Sequence, residues 1–149
     1  MEVLVHGTRS STQDWIRAQQ VPLSELPLLD EEQKAEARLM HRSEEGYARS
    51  IYAAQLTQRA TLQRMMKFGH WLGARIEERK PDSSVESVEL DTWSGKLQIQ
   101  GTTGGEPFLF NLDEDMVERF LTTGAADLES SIFRVLEIFL PELKVARAS

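Results

Sequence analysis

From Glu44 to Lys80 the chain carries no proline, and Pro81 then interrupts it. Within that run Tyr47, Ile51, Ala54, Leu62, Met65, Leu72 and Ile76 fall inside about 80° of arc when successive residues advance by 100°. The pattern predicts one amphipathic helix over about 44–80, which at 1.5 Å per residue would be about 54 Å long. A small domain cannot cover such a length. Part of the stripe is therefore expected to meet another helix, from this chain or from a second copy. Asp30 ahead of "EEQKAEARLMHR" places acidic residues where a helix dipole favours them and predicts a preceding helix. Ser43 offers a fresh start before Glu44, but whether the two helices separate there is left open by the pattern alone.

Beyond Pro81 the apolar period changes from 3.6 to 2. Val88, Leu90 and Thr92, then Leu97 and Ile99, then Phe108, Phe110 and Leu112 alternate with polar residues. Turns at Trp93-Ser94-Gly95 and Thr103-Gly104-Gly105 make neighbours antiparallel, a three-stranded meander with one apolar face. Two helices follow, "EDMVERFLTT" capped by Asp113 and ended by Gly124, and "LESSIFRVLEIFL" capped by Asp127 and ended by Pro141. The expected class is α+β: a long amphipathic helix, then the meander, then two C-terminal helices. Three zones are expected. Residues 1–29 form an irregular arm, with a strand candidate "EVLV" and a brief helix capped by Ser11 or Thr12. Residues 30–80 are helical, and residues 81–149 pack with them as one domain.

The 149 residues sum to a net charge of −7 with no cysteine. The acidic total opposes general affinity for nucleic acid. It also hides an asymmetry: residues 1–45 hold five basic and nine acidic side chains, residues 46–76 five basic and none acidic, and residues 81–149 five basic and thirteen acidic. No apolar run approaches the roughly 20 residues of a membrane-spanning helix. The first residues lack the charged and apolar regions of a signal peptide. Without thiols there is no disulfide framework, thiolate metal site or cysteine nucleophile. These features fit a cytoplasmic protein.

The basic segment places Arg49, Arg64, Lys67, Trp71 and Arg75 on one side of the helix, opposite the stripe. Cations around an indole suit an acidic protein partner with an aromatic anchor, or phosphate contact with stacking. They equally suit an internal stack of Trp71 with its neighbours, or a face covered by the acidic C-terminal zone. For self-association the candidates are Ile51, Leu62, Met65 and Leu72 on the long helix, with Ile132, Phe133, Leu136 and Phe139 on the last.

"VLVHGT", ending in His6-Gly7, resembles the strand beside the oxyanion hole of α/β-hydrolases. "HGTRSSTQDWI" resembles the first motif of ADP-ribosyltransferases of the diphtheria-toxin type, which implies His6 and Gly7 against the ribose of NAD. The first family also needs a Gly-x-Ser-x-Gly elbow, which is lacking here. The second continues with strands bearing a tyrosine and a glutamate, whereas Tyr47 and Tyr52 fall on the long helix. His6 is accordingly read as a polar side chain at a bend. His6, His41 and His70 have no metal-ligand spacing, "DED" at 113–115 is read as a helix start, and "TTGGEP" as a hairpin turn. No cofactor or metal is expected.

The favoured expectation is a non-enzymatic binding or assembly protein, a dimer or a subunit of a complex. Its general type is similar to that of secretion chaperones and other dedicated escorts. The alternatives are a small enzyme using His6 and Arg9 on a nucleotide or ester, and a nucleic-acid-binding protein using the basic face.

Overall fold

The computed structural model describes residues 1–7 and 9–139. The elements run β1 (Glu2–His6), α1 (Thr12–Gln20), a 3-10 turn (Leu23–Glu25), α2 (Glu31–Leu39), α3 (Glu44–Arg79), β2 (Ser83–Asp91), β3 (Lys96–Thr103), β4 (Glu106–Asp113), α4 (Glu114–Thr123) and α5 (Ala126–Phe139). The class is α+β and the long helix is present. The residues group into two compact units that cut across the expected boundaries: Met1–Gly7 with Leu62–Ser149, and Thr8–Thr61. The division falls inside α3.

In the sheet-bearing unit the strand order is β1-β2-β3-β4. The antiparallel meander β2-β3-β4 is joined by β1, which runs parallel to β2, so the expected three strands become a four-stranded mixed sheet. Nothing near "EVLV" announces a partner so far along the chain, and parallel neighbours require a long crossover. Register lines up two inner rows, Val3-Val88-Ile99-Phe110 and Val5-Leu90-Leu97-Leu112. Onto them pack Met65, Phe68, Leu72 and Ile76 of α3, Val117 and Phe120 of α4, and Ile132, Phe133 and Leu136 of α5. Each large apolar side chain fully removed from water contributes about 1.5–3 kcal/mol. Gly101 is required here: a Cβ would stand 2.1 Å from the Ser84 carbonyl oxygen and 2.5 Å from the Phe108 ring. At the open end of the hairpin the Ser83 hydroxyl donates to Thr103 Oγ1 at 2.7 Å, which satisfies a buried pair.

Two expected caps differ. Asp113 does precede α4, but its carboxylate accepts from Lys96 Nζ at 2.6 Å and caps no amide. Asp127 lies within the first turn of α5, which begins at Ala126. Gly124 ends α4 in the left-handed conformation, as its position predicts. Leu140 and Pro141, expected to finish the last helix, lie outside the described residues.

In the Thr8–Thr61 unit, Ser11 Oγ accepts from the Asp14 amide and starts α1. Asp30 and Gln33 form a reciprocal capping box on α2. The open question at Ser43 has a definite answer. The Arg42 amide donates to the Ala37 carbonyl and the His41 amide to that of Arg38, which closes α2 as a Schellman motif. His41 takes the left-handed position at φ +54°. Ser43 Oγ then accepts from the Gly46 amide and begins α3. The helices are separate.

The core of this unit is slight. Its buried apolar side chains are Ala18, Leu26, Ala37, Ala48 and Ala53. An alanine offers one methyl, worth on the order of 0.8 kcal/mol, and polar clasps supplement them. The Arg49 guanidinium donates to the carbonyls of Ala18 and Val21 at 2.8 Å each and pairs with Glu45, which anchors the end of α1 on α3. Thr57 accepts from the Ser11 amide and donates to Asp14 at 2.8 Å, which anchors its start.

Candidate functional site

The sheet-bearing unit uses most of its candidate residues internally. Arg64 pairs with Glu118 at 3.0 Å, and Arg75 pairs with Glu78 and Glu129 at 3.2 and 3.5 Å. The acidic C-terminal zone therefore lies over this part of the basic face. Trp71 is no outward anchor. Its half-buried ring lies 4.4 Å from Phe120, 6.1 Å from Phe133 and 5.8 Å from Phe68, with Arg75 at 6.0 Å from its centroid. Edge-on and tilted contacts of this kind add about 0.5–1.5 kcal/mol each to burial. Lys67 is exposed. In the other unit, Arg49 is the clamp on α1 and only 14% of its side chain is exposed.

The self-association candidates divide as well. Met65, Leu72, Ile132, Phe133 and Leu136 are buried against the sheet, so no outward face can be built from them. The stripe looked uncovered because sequence alone could not show how much of the sheet and of α4 and α5 would close over it. Leu62 is half-buried, as is Ile51. The side chain of Phe139 lies outside the described residues.

His6 sits at the end of β1 on the outer face of the sheet, where Nε2 contacts the Glu89 carboxylate. Its carbonyl accepts from the Thr92 amide and hydroxyl. Gly7, at φ +92°, lies under the Trp93 indole, which a Cβ would strike at 2.6 Å. The bend is thus fixed by packing on the β2-β3 turn. Among the described residues no three His, Cys, Asp or Glu side chains are grouped to hold a metal ion, and no helix is long and apolar enough to cross a membrane.

The surface that stands out is on Thr8–Thr61. Trp15 and Ile16 of α1 are about half exposed, at 50% and 48%, while Leu23, Leu28, Leu39 and Met40 reach 67%, 97%, 82% and 53%. A groove of about 430 Å3 is bordered by Leu23, Leu26, Pro27, Leu28 and Leu29, with Lys34 and Glu44 at its rim. A second, of about 350 Å3, lies between α2 and α3 along Met40, Tyr47, Ile51 and Ala54. At its edge the Tyr47 hydroxyl donates to Glu36 at 2.7 Å, and this bond raises the phenol above its ordinary value of 10.0.

The sequence reading missed these side chains. The available signal was "VPLSELPLL", which is too rich in leucine for a solvated loop and too broken by proline for a core helix. A scan against protein-family models, a search of curated proteins and a search of solved structures each gave no match to this chain.

Proposed function

We propose that this chain is a non-enzymatic protein-binding or assembly protein that docks through its Thr8–Thr61 unit. One observation carries the reading: this unit buries four alanines and a single leucine, Leu26, and leaves Trp15, Ile16, Leu23, Leu28, Leu39 and Met40 exposed. Covering one fully exposed leucine such as Leu28 contributes about 1.5–3 kcal/mol, and a few such anchors dominate a protein interface. The basic face adds less, because Arg64 and Arg75 are ion-paired and Arg49 is a structural clamp. A chain that needs no disulfide suits a reducing, cytoplasmic setting.

The test is affinity capture of wild type and of a Leu23→Ser, Leu28→Ser, Leu39→Ser variant from native-host extract, with solution mass measured beside it. All three positions are exposed, so each exchange should shift stability by only about 0.5 kcal/mol. The expected result is association that the variant loses. A wild type that stays solitary, or a variant that retains every association, defeats the reading.

A further inference from the structure

We infer that the sheet-bearing unit holds a second binding site, an open cleft beside the first half of β2 that takes an extended basic peptide. The site is separate from the Thr8–Thr61 surface and does not depend on it. β1 pairs with Ser87–Asp91 and reaches no further back along β2. Ser83–Val85 therefore have β3 on one side and, among the described residues, no strand on the other. The bulge at Glu86 divides the covered part of β2 from the uncovered part. A cleft of about 270 Å3 lies at the uncovered part, between Ser83–Val85 and the Gly69, His70, Gly73 and Glu77 positions of α3, and Met1 lines it too.

The chain itself shows how such a cleft is filled. Gly69 and Gly73 stand one turn apart on α3, Gly69 against Val88 and Gly73 against Val85. At Gly69 the space is taken: a Cβ would come within 2.5 Å of the Met1 Sδ, and the residue is buried. At Gly73 a Cβ would meet only Val85, at 3.8 Å, and the residue is half-buried. Met1 alternates in phase with Val3 and Val5, which pack on the core from β1. Two strand residues advance about 6.6 Å and one helical turn about 5.4 Å. The next inward position in the lane of β1 therefore falls at Gly73. A strand seated there sets one apolar side chain over Gly73 while its backbone bonds to the open edge of β2, the way extended peptides add to sheets. Such an edge asks for extended backbone, whose amides and carbonyls point sideways; a helix spends its own internally. Charge then selects among extended peptides. Glu77 is the one carboxylate in the lining, which has no lysine or arginine. Glu2 and Glu86, next in sequence to Met1 and Val85, are exposed. Three carboxylates around one lane favour lysine or arginine at the strand's outward positions. The contact is much smaller than a standard interface, so binding should be weak.

The experiment is an NMR titration of the isotope-labelled full chain with the capped pentapeptide Lys-Val-Lys-Val-Lys. Saturable shifts are expected at the amides of Gly69, Gly73 and Ser83–Glu86, with none in α1 or α2. Gly73→Leu puts the chain's own side chain into the cleft and should weaken binding roughly tenfold or more. Leucine is the better helix former, so the exchange makes no demand on the backbone of α3. Glu77→Lys should weaken binding roughly threefold or more, by a margin that narrows as salt is added. The capped Glu-Val-Glu-Val-Glu peptide should not saturate the site. The Leu23→Ser, Leu28→Ser variant should bind the lysine peptide as wild type does, which keeps this site distinct from the Thr8–Thr61 surface. Absence of saturable shifts at Ser83–Glu86 overturns the inference, as does equal binding of the two peptides. A folded Gly73→Leu variant with unchanged affinity overturns it as well. Should that variant misfold by circular dichroism, Glu77→Lys at its exposed position decides, and unchanged affinity there overturns the inference.

Discussion

Phe68 and Phe110 in the sheet-bearing unit have 0% and 1% of their surface exposed, whereas Leu28 and Leu39 in the Thr8–Thr61 unit have 97% and 82%. One helix, α3, serves both units with one apolar stripe. Where a sheet and two further helices face it, the stripe becomes core. Where two short helices and a proline-broken segment face it, alanines and Leu26 do the packing, and Leu23, Leu28, Leu39 and Met40 are left outside. The difference teaches that a stripe specifies a surface in need of cover, while the neighbouring elements decide how much cover it receives. Hydrogen bonds fill part of the deficit, since Arg49 and Thr57 hold α1 to α3 by backbone and hydroxyl contacts.

The largest expected effect tests that contrast directly. Phe110→Ala should cost about 3–5 kcal/mol in urea denaturation, while Leu28→Ala and Leu39→Ala should each stay within about 0.5 kcal/mol. A cost above about 2 kcal/mol for either leucine would mean that it is structural, and the contrast would fail.

Next comes Arg49→Ala, which leaves two helix-end carbonyls without their charged donor. A loss of about 1–3 kcal/mol is expected, confined to Thr8–Thr61. Hydrogen exchange should show α1 amides opening faster with β2 and β3 unchanged. Equal changes in both units would show that they unfold together.

A smaller effect of opposite sign is expected at His41, whose left-handed backbone suits glycine. His41→Gly should raise stability by about 0.5–1 kcal/mol in the same denaturation assay. A loss would show that the imidazole makes a contact worth more than the backbone relief.

The slightest concerns Tyr47. Its bond to Glu36 favours the protonated phenol, so folded Tyr47 titrates above 10.0. The stability this supplies is complete below pH 10.0 and is lost as pH rises through the folded value. Tyr47→Phe should remove that alkaline loss, read as thermal midpoint against pH. An unchanged alkaline profile would place the effect on another group.

Much of the fold was legible because the responsible residues are near one another in sequence. The acidic turn after Asp30, the choice of Ser11 or Thr12 as a cap, and the alternation through Val88–Leu90 and Leu97–Ile99 each act over a few positions. The surroundings of Trp71 were left open for the complementary reason. On an isolated wheel it sits among cations, but Phe120 and Phe133 arrive from helices about fifty residues later and take it inside. The exposed apolar surface was missed because periodicity reveals ordered stripes, and Leu23, Leu28 and Leu39 belong to none.

What the sequence by itself determined is which segments are helix and which are strand, and where most of them start and stop. Backbone preference and side-chain period are properties of neighbouring residues. Only the tertiary structure decided that β1 joins β2, that Arg64 and Arg75 find Glu118 and Glu129, and that α3 is covered along its Leu62–Arg79 portion while a groove remains on its Glu44–Thr61 portion. Burial is set by what crosses over a residue in space, and that information is spread through the whole chain.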